Sequence, residues 1–396
     1  MKISIPVPVT ILILVILVFP SCTPYDSLRL QHDLGVKLAD STASRETVIL
    51  YHNLKILSQQ KIIFGHQNSS QYGVFWRGDS LRSDVRDVTG SFPGLYGWDF
   101  ESMPKSDSVK IGDHVPVLVR QAYGRGGINT FSWHIRNPVT GNLYNDTTIA
   151  VREILPGGRY YLKYLRMLDT LADYTRQFED PDGRPIPIIF RPYHEFDGNW
   201  FWWGKNFCTR EEFIRLWHIT VDYLRAYKKV TNFLYAFSSD CRFESEEEFL
   251  DRYPGDSYVD IVGLDDYHDF KLSGDSSKLV QTKLKIISSI AAKRGKIAAF
   301  TETGSELVPD STWWTRKLYS MVDNDSVKIA YVMLWRNAHQ KHFYVPFKGH
   351  PAEQDFVEFR RKPKMLFEED LPDLYHSVIL TDWLARLHEQ GTQPKK

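Results

Sequence analysis

Short apolar runs alternate with amphipathic stretches along most of the chain. Between several runs, apolar residues recur at helical spacing, as in YYLKYLRMLDTLADYTRQF and EEFIRLWHITVDYLRAYKKV. Strands that alternate with helices predict a parallel sheet, and eight such strands favour a closed (β/α)8 TIM barrel in a single domain. The eight predicted strands are 62–65, 93–100, 128–134, 186–195, 232–240, 258–267, 296–304 and 328–337.

The first residues indicate a targeting segment and not part of the fold. Lys2 precedes the apolar run IPVPVTILILVILVF, which is too short and too early to predict a membrane span. The run ends in FPSC, which resembles the lipobox of bacterial lipoproteins and implies cleavage before Cys22 and acylation of its thiol. An ordinary secretory signal is the alternative. We therefore predict a signal peptide over 1–21, a lipid-anchored tether over 22–45 and one domain over 46–390.

Composition narrows the choice of partner. The formal net charge is zero and charged residues make up 25% of the chain, so nothing favours a nucleic-acid partner. Aromatic residues make up 14%, and their flat apolar faces suit sugar rings. Cleavage and acylation at Cys22 leave two thiols, Cys208 and Cys241. A disulfide between them is possible in an oxidising compartment, and the sequence leaves that question open.

Two glutamates stand at predicted strand ends, which meet at one face of a barrel. Glu195 lies in RPYHEFDGNWFWWG, and Glu302 lies in FTETG. Hydrolysis of a glycosidic bond needs one protonated carboxyl and one ionised carboxylate. Aromatic neighbours predict that burial raises the pKa of Glu195, which suits a general acid, whereas hydroxyls and a close-packing glycine flank Glu302 and suit a nucleophile. A glutamate in either position is also common as a structural ion-pair partner.

These two motifs, with NTFSWH, GLDDYH, LWRN and HFYVPFKGHP, resemble glycoside hydrolase family 26, chiefly β-mannanases. The resemblance implies a (β/α)8 catalytic domain and retaining hydrolysis of β-1,4-mannosidic linkages in mannan, galactomannan or glucomannan. β-Glucanase or xylanase activity, which also occurs in the family, is an alternative. A non-catalytic glycan-binding lipoprotein is the alternative from another class, although it gives no reason to keep both glutamates.

The resemblance also implies the catalytic roles. Glu195 is similar to the acid/base of the family, and Glu302 is similar to its nucleophile. His194 resembles a histidine that positions the catalytic site, and Tyr267 resembles a tyrosine that hydrogen-bonds the nucleophile. The alternative for His194 and Tyr267 is a purely structural place in the core.

Other side chains resemble the family's sugar-binding residues. Trp335 is similar to a stacking platform for the sugar beside the cleaved bond, and His134 and Trp200 are similar to residues that line the same pocket. Arg336 resembles a distal-sugar contact, with a simple salt bridge as the alternative. Asp197 stands where the family pattern often has Asn, which leaves its local contact open.

We predict no catalytic metal and no cofactor. Asp265 and Asp266 are adjacent carboxylates without a recurring ligand spacing, which usually indicates ordinary hydrogen bonding. The expected partners are β-mannan or manno-oligosaccharides and, through the lipid anchor, a membrane; the expected oligomeric state is a monomer. The segment TPYDS after Cys22 lacks a dense acidic run, so a periplasm-facing place in the cell envelope is favoured over the cell surface.

Overall fold

The computed structural model describes residues 25–103, 114–271 and 276–379. The predicted signal peptide over 1–21 and the predicted lipidation site Cys22 lie outside the described residues. The same holds for the last part of the predicted domain, 380–390.

Eight parallel strands close into a barrel, so the predicted fold class is confirmed. Each strand pairs with the next along the chain, and the last pairs with the first, with Tyr331 opposite Ile63. The short strand Met365–Leu366 pairs with the start of the first strand, and an antiparallel hairpin joins Tyr72–Gly73 to Trp76–Arg77. The barrel strands are β1 Ile62–Gln67, β2 Leu95–Asp99, β3 Ile128–Trp133, β4 Ile188–Pro192, β5 Phe233–Asp240, β6 Ile261–Asp266, β7 Ile297–Thr303 and β8 Tyr331–Leu334.

Helices connect the strands and surround the barrel. The α-helices are α1 Ser27–Asp33, α2 Arg45–Leu57, α3 Asp84–Thr89, α4 Val115–Gly124, α5 Val151–Ile154, α6 Tyr161–Thr175, α7 Arg210–Asp222, α8 Glu246–Phe249, α9 Ser276–Arg294, α10 Tyr319–Val322 and α11 Glu353–Arg360. Two π-helical segments, Tyr223–Tyr227 and Trp314–Leu318, adjoin α7 and α10. The 3-10 turns are Phe100–Ser102, Asp269–Lys271 and Glu368–Asp370. Within the described part of the chain, every helix is too short or too polar to cross a bilayer.

Apolar periodicity explains how the helices attach. In α6, Tyr164, Leu168 and Leu171 are buried one turn apart and face the barrel. The helix α7 begins at a capping box in which Thr209 and Glu212 each bind the other's backbone N–H group. A second apolar cluster combines α2 with one or two buried side chains from each barrel strand, so α2 closes the N-terminal end of the barrel.

Much of the segment predicted as a tether, 22–45, is folded. The backbone N–H of Ala39 donates to Asp260 Oδ1 at 2.7 Å, and that of Ser44 donates to the Thr231 carbonyl at 2.7 Å. Asp260 directly precedes β6 and Thr231 lies two residues before β5, so the segment lies against the N-terminal end of the barrel. Its few apolar residues are scattered among polar ones, so the polar composition of the segment did not predict this packing. The buried apolar residues are Leu38, Ala39 and Ala43.

Candidate active site

Glu302 lies at the C-terminal end of β7, buried among side chains from other strands. The Arg191 guanidinium donates to its Oε1 atom, and the Tyr267 hydroxyl donates to its Oε2 atom at 3.0 Å. Arg191 comes from β4, and Tyr267 directly follows β6. Two donors, one of them permanently charged, hold an ionised carboxylate in one orientation. The contact that the resemblance implies for Tyr267 is therefore present.

The residues around Glu302 pack as their types predict. The Thr301 hydroxyl donates to the Leu264 carbonyl at 2.9 Å, and the Thr303 hydroxyl donates to the Asp266 carbonyl at 2.8 Å. Gly304 adopts φ +148, and a Cβ atom there would lie 2.5 Å from the Tyr344 ring. The glycine is required both by its backbone angle and by this close approach.

Arg191 is the centre of a buried ion cluster that sequence reasoning missed. Its side chain is 1% exposed, and it reaches Asp265 at 3.2 Å as well as Glu302. Burial lowers the pKa of Arg191, but Asp265 and Glu302 outweigh it and leave that pKa raised. Burial raises the pKa of Asp265 to about 8, against the influence of Arg191. One guanidinium therefore balances two acidic groups and fixes the position of Glu302.

The backbone around Glu195 is held in an uncommon conformation. Tyr193 and Glu195 have φ of 52° and 53°, in the left-handed region that non-glycine residues rarely adopt. The N–H of Glu195 donates to the Ser238 carbonyl of β5 at 3.0 Å, and the Tyr193 hydroxyl bonds Thr220 Oγ1 at 2.9 Å. These contacts hold the turn in place against a strain of about 1–3 kcal/mol for each such residue.

The carboxyl of Glu195 has a different environment from that of Glu302. Its Oε2 atom accepts a hydrogen bond from Trp200 Nε1 at 2.6 Å. Burial raises the pKa of Glu195 well above the usual range, and the neighbouring acidic groups Asp265 and Glu302 raise it further, while the Trp200 bond opposes them. This agrees with the raised pKa that the aromatic neighbours predict. Glu195 therefore keeps its proton at a pH where an ordinary glutamate is ionised.

Two histidines lie side by side, with ring centroids 4.7 Å apart. The His134 ring hydrogen-bonds Asp99 through Nδ1. The Asp99 carboxylate also accepts a hydrogen bond from the backbone N–H of His134 at 3.1 Å. Burial lowers the pKa of His134, but Asp99 outweighs it and leaves that pKa raised. His194 is buried, and burial, His134 and Arg191 all lower its pKa, so His194 is neutral. A neutral ring beside Glu195 avoids a second positive charge next to Arg191.

Trp335 and Arg336 follow β8 and complete an aromatic wall. Trp335 is half-buried, and its ring lies 6.2 Å from the His134 ring. The Arg336 guanidinium lies 5.8 Å from the Trp335 ring centroid, and its Nη1 atom lies 3.5 Å from the Tyr72 hydroxyl. The structure thus joins the predicted residues by contacts in three groups: Glu195 with Trp200, Glu302 with Tyr267, and the two histidines with Trp335 and Arg336.

Two further side chains belong to this site. Asp99, at the end of β2, binds the ring of His134 and holds it in place. The sequence signal that could have identified Asp99 is its position as the polar residue that ends an apolar run. Asp265 shares Arg191 with Glu302 and makes hydrogen bonds, as the sequence predicts for such a carboxylate.

Cys208 and Cys241 are both buried free thiols, which answers the question of their pairing.

Known proteins resemble this chain over much of its length. The family model described as Glycosyl hydrolase family 26 matches residues 39–334. A mannan endo-1,4-β-mannosidase from Bifidobacterium adolescentis is 33% identical over 357 residues, which are 84% of this chain and 35% of that protein. The chain spans 50% of a second such relative, from Caldalkalibacillus mannanilyticus. The chain thus covers half or less of these two relatives.

Solved structures match over more of their length. A family 26 β-mannanase from Bacteroides ovatus is 38% identical, with a TM-score of 0.79 over 84% of this chain and 98% of that chain. The catalytic domain of an endo-β-1,4-mannanase from Bacillus sp. JAMB-750 is 35% identical, with a TM-score of 0.81 over 86% of this chain and 96% of that chain.

Proposed function

This chain belongs to glycosyl hydrolase family 26, and from that premise we propose that it hydrolyses β-1,4-mannosidic linkages in mannan, galactomannan or glucomannan with retention of configuration. One observation supports this above the others. Glu195 keeps its proton in an apolar setting, while Glu302 is bound by the Arg191 guanidinium and the Tyr267 hydroxyl. Two carboxyls in opposite environments are what acid and nucleophile require.

The proposed first step transfers the sugar to the enzyme. Glu195 donates its proton to the leaving-group oxygen as a Glu302 oxygen attacks the anomeric carbon. The glycosidic C–O bond breaks, and a covalent glycosyl-enzyme forms. Arg191 and Tyr267 aim the attacking carboxylate, and Trp200 fixes the acid within hydrogen-bonding reach.

The second step releases the sugar. The ionised Glu195 now takes a proton from water, which attacks the anomeric carbon and breaks the bond to Glu302. Burial and Asp265 destabilise ionised Glu195, and the charge that returns to Glu302 as its bond to the sugar breaks adds to this, which favours the protonated form of Glu195. Trp335 presents an apolar ring face to the sugar and, with His134, limits the access of bulk water.

Product analysis tests the substrate. Linear mannan, cellohexaose, xylan and mixed-linkage glucan are each incubated with the protein and the products are separated. We expect manno-oligosaccharides from mannan, and the β-anomer first when the products are followed by NMR. Release from cellohexaose or xylan alone would instead establish the glucanase or xylanase alternative, and an α-anomer product would exclude the double displacement.

A separate assay addresses the glycan-binding alternative. Reducing ends are measured in soluble galactomannan, and binding to the same polymer is measured by affinity electrophoresis. If the protein hydrolyses the polymer, we expect new reducing ends as well as retarded migration in the gel. Retarded migration without any new reducing ends would contradict the enzymatic proposal.

We also propose that the protein is a monomeric lipoprotein of the bacterial cell envelope, anchored at Cys22 and facing the periplasm. The FPSC sequence supports this. Cys22→Ser is expected to move the protein from the membrane fraction to the soluble fraction, because stable anchoring needs the acyl chains. An unchanged membrane fraction would contradict the anchor, and digestion by protease added to intact cells would place the protein on the outer surface instead.

A further inference from the structure

A cysteine, a histidine and an aspartate meet between the loops that follow β5 and β6. One ligand atom each from Cys241, His268 and Asp269 lies within 4.8 Å of the other two. Cys241 and Asp269 are buried, whereas the His268 side chain is 62% exposed. A buried thiol and carboxylate beneath a solvent-facing imidazole leave a path by which an ion can enter.

The spacing is close to that of a metal site. His268 Nδ1 lies 3.4 Å from Asp269 Oδ1. Tetrahedral zinc, with bonds of about 2.0–2.3 Å, places its ligand atoms about 3.3–3.8 Å apart. A separation of 4.8 Å, the upper limit in the cluster, therefore needs to contract by about 1–1.5 Å. The Lys283 ammonium binds Asp269 Oδ2, which orients the carboxylate and leaves Oδ1 facing His268.

A second observation points independently to a cation. Asp266 is fully buried, and its Oδ2 atom has no hydrogen-bond partner among the described residues. Its Oδ1 atom accepts the Asp269 N–H at 3.0 Å, so the two carboxylates are neighbours. Buried carboxylate oxygens are rarely left unpaired, and a positive ion beside the thiol would compensate this one.

We propose that Cys241, His268 and Asp269 bind one divalent cation of the zinc type, with water completing the coordination. Sulfur, nitrogen and oxygen donors together suit zinc, whereas magnesium and calcium prefer oxygen donors alone. Binding breaks the S–H bond of Cys241, the proton passes to solvent, and the thiolate sulfur bonds the ion without any change of oxidation state. Asp266 adds negative charge outside the coordination shell.

The ion would tie two loops of the active-site face together. Cys241 directly follows β5, which supplies the Ser238 carbonyl that binds the backbone of Glu195. His268 directly follows Tyr267, whose hydroxyl binds Glu302. The ion is thus a structural clasp beside the catalytic pair and takes no part in bond cleavage. This proposal is independent of the substrate proposed above.

Cobalt and zinc titrations of the full-length protein test the site. After treatment with a chelator, we expect one Co²⁺ per chain, a thiolate-to-cobalt charge-transfer band, loss of that band on adding Zn²⁺, and a higher melting temperature with Zn²⁺. Cys241→Ser should abolish the band. His268→Ala should weaken binding at least about tenfold, and Asp266→Asn about 10–100-fold. Cys208→Ser is the matched control, because it removes the other buried thiol and should keep the band.

Three results would overturn the proposal: absence of cobalt binding by the unaltered protein, a charge-transfer band that survives Cys241→Ser, or a band that is lost in Cys208→Ser alone. Cys241 is buried, and its replacement can disturb folding. The exposed His268 guards against that problem, because His268→Ala leaves the core intact. An equal zinc-dependent melting shift in His268→Ala and in the unaltered protein would also overturn the proposal.

Discussion

At the scale of single residues, Glu302 is defined by what holds it. Arg191 and Tyr267 donate to its two oxygens, and burial keeps the Tyr267 hydroxyl protonated by raising its pKa well above the usual value. We predict that Glu302→Ala stays folded and loses several orders of magnitude in turnover, because the covalent step is lost. Azide should partly restore turnover on an activated substrate by occupying the space of the missing carboxylate.

Glu306 offers a matched control for that experiment. It lies in the loop that follows β7 and pairs with His342 at 2.7 Å, with no contact to Glu302 among the hydrogen bonds of the described residues. Glu306→Ala should keep nearly full turnover and show no response to azide. Near-normal hydrolysis by folded Glu302→Ala would refute the assignment of the nucleophile.

The raised pKa of Glu195 makes a prediction about stability. The folded state holds this proton more tightly than the unfolded chain, so ionisation destabilises the fold increasingly as pH rises above the unfolded pKa of about 4.3. Glu195→Gln removes that penalty and can still accept the Trp200 N–H. The variant should melt at a higher temperature than the unaltered protein at pH 7, with the gain vanishing near pH 4.

Thermal melting at several pH values checks this, with activity measured alongside. Turnover of Glu195→Gln should fall sharply on substrates with poor leaving groups, since the acid is gone. A melting advantage that stays constant from pH 4 to pH 7 would mean that ionisation of Glu195 is not its source.

At the scale of elements, the loop between β4 and α7 tunes the acid. The Trp200 hydrogen bond lowers the pKa of Glu195 and so opposes the effect of burial. Trp200→Phe removes the donor, so the pKa of Glu195 should rise further. The basic limb of the kcat/KM pH profile, which reports loss of the acid's proton, should therefore move to higher pH. A limb that moves to lower pH would show that another group sets it.

The barrel strands were predictable because their local pattern suffices. Strands buried on both faces are nearly continuous apolar runs, and the polar residues that close them mark the active-site end. The site partners of Arg191 could not be found in this way, because Asp265 and Glu302 lie 74 and 111 positions along the chain. The strand Met365–Leu366 has only two residues, too few for any period, and forms because β1 offers it an edge.

At the scale of the whole molecule, Asn53 fastens the last described segment to the barrel. Its Nδ2 atom donates to the Leu374 and Ser377 carbonyls at 3.1 and 2.8 Å, and its Oδ1 atom accepts the Ile379 N–H at 2.8 Å. Asn53→Ala leaves buried backbone groups unpaired. We predict a loss of about 1–3 kcal/mol in the free energy of unfolding, with normal turnover below the melting transition.

Chemical denaturation with an activity assay checks this prediction. Lys55→Ala on the same helix is the control, because its exposed ammonium makes one contact, to the Gly295 carbonyl at 3.3 Å. Asn53→Ala that is as stable as Lys55→Ala would show that the segment adds nothing to the fold.

The packing of residues 25–44 on the N-terminal end of the barrel also determines how the proposed anchor orients the active site relative to the membrane. The Tyr25 hydroxyl donates to the Ala43 carbonyl at 3.0 Å, at the end opposite to Glu195 and Glu302. Cys22 stands three residues earlier in the sequence, and a chain extends at most about 3.6 Å per residue, so the two residues can be at most about 11 Å apart. With the proposed anchor at Cys22, this short connection holds the N-terminal end of the barrel next to the bilayer. The C-terminal end, which carries Glu195 and Glu302, then faces away from the bilayer and toward polymer in the surrounding fluid.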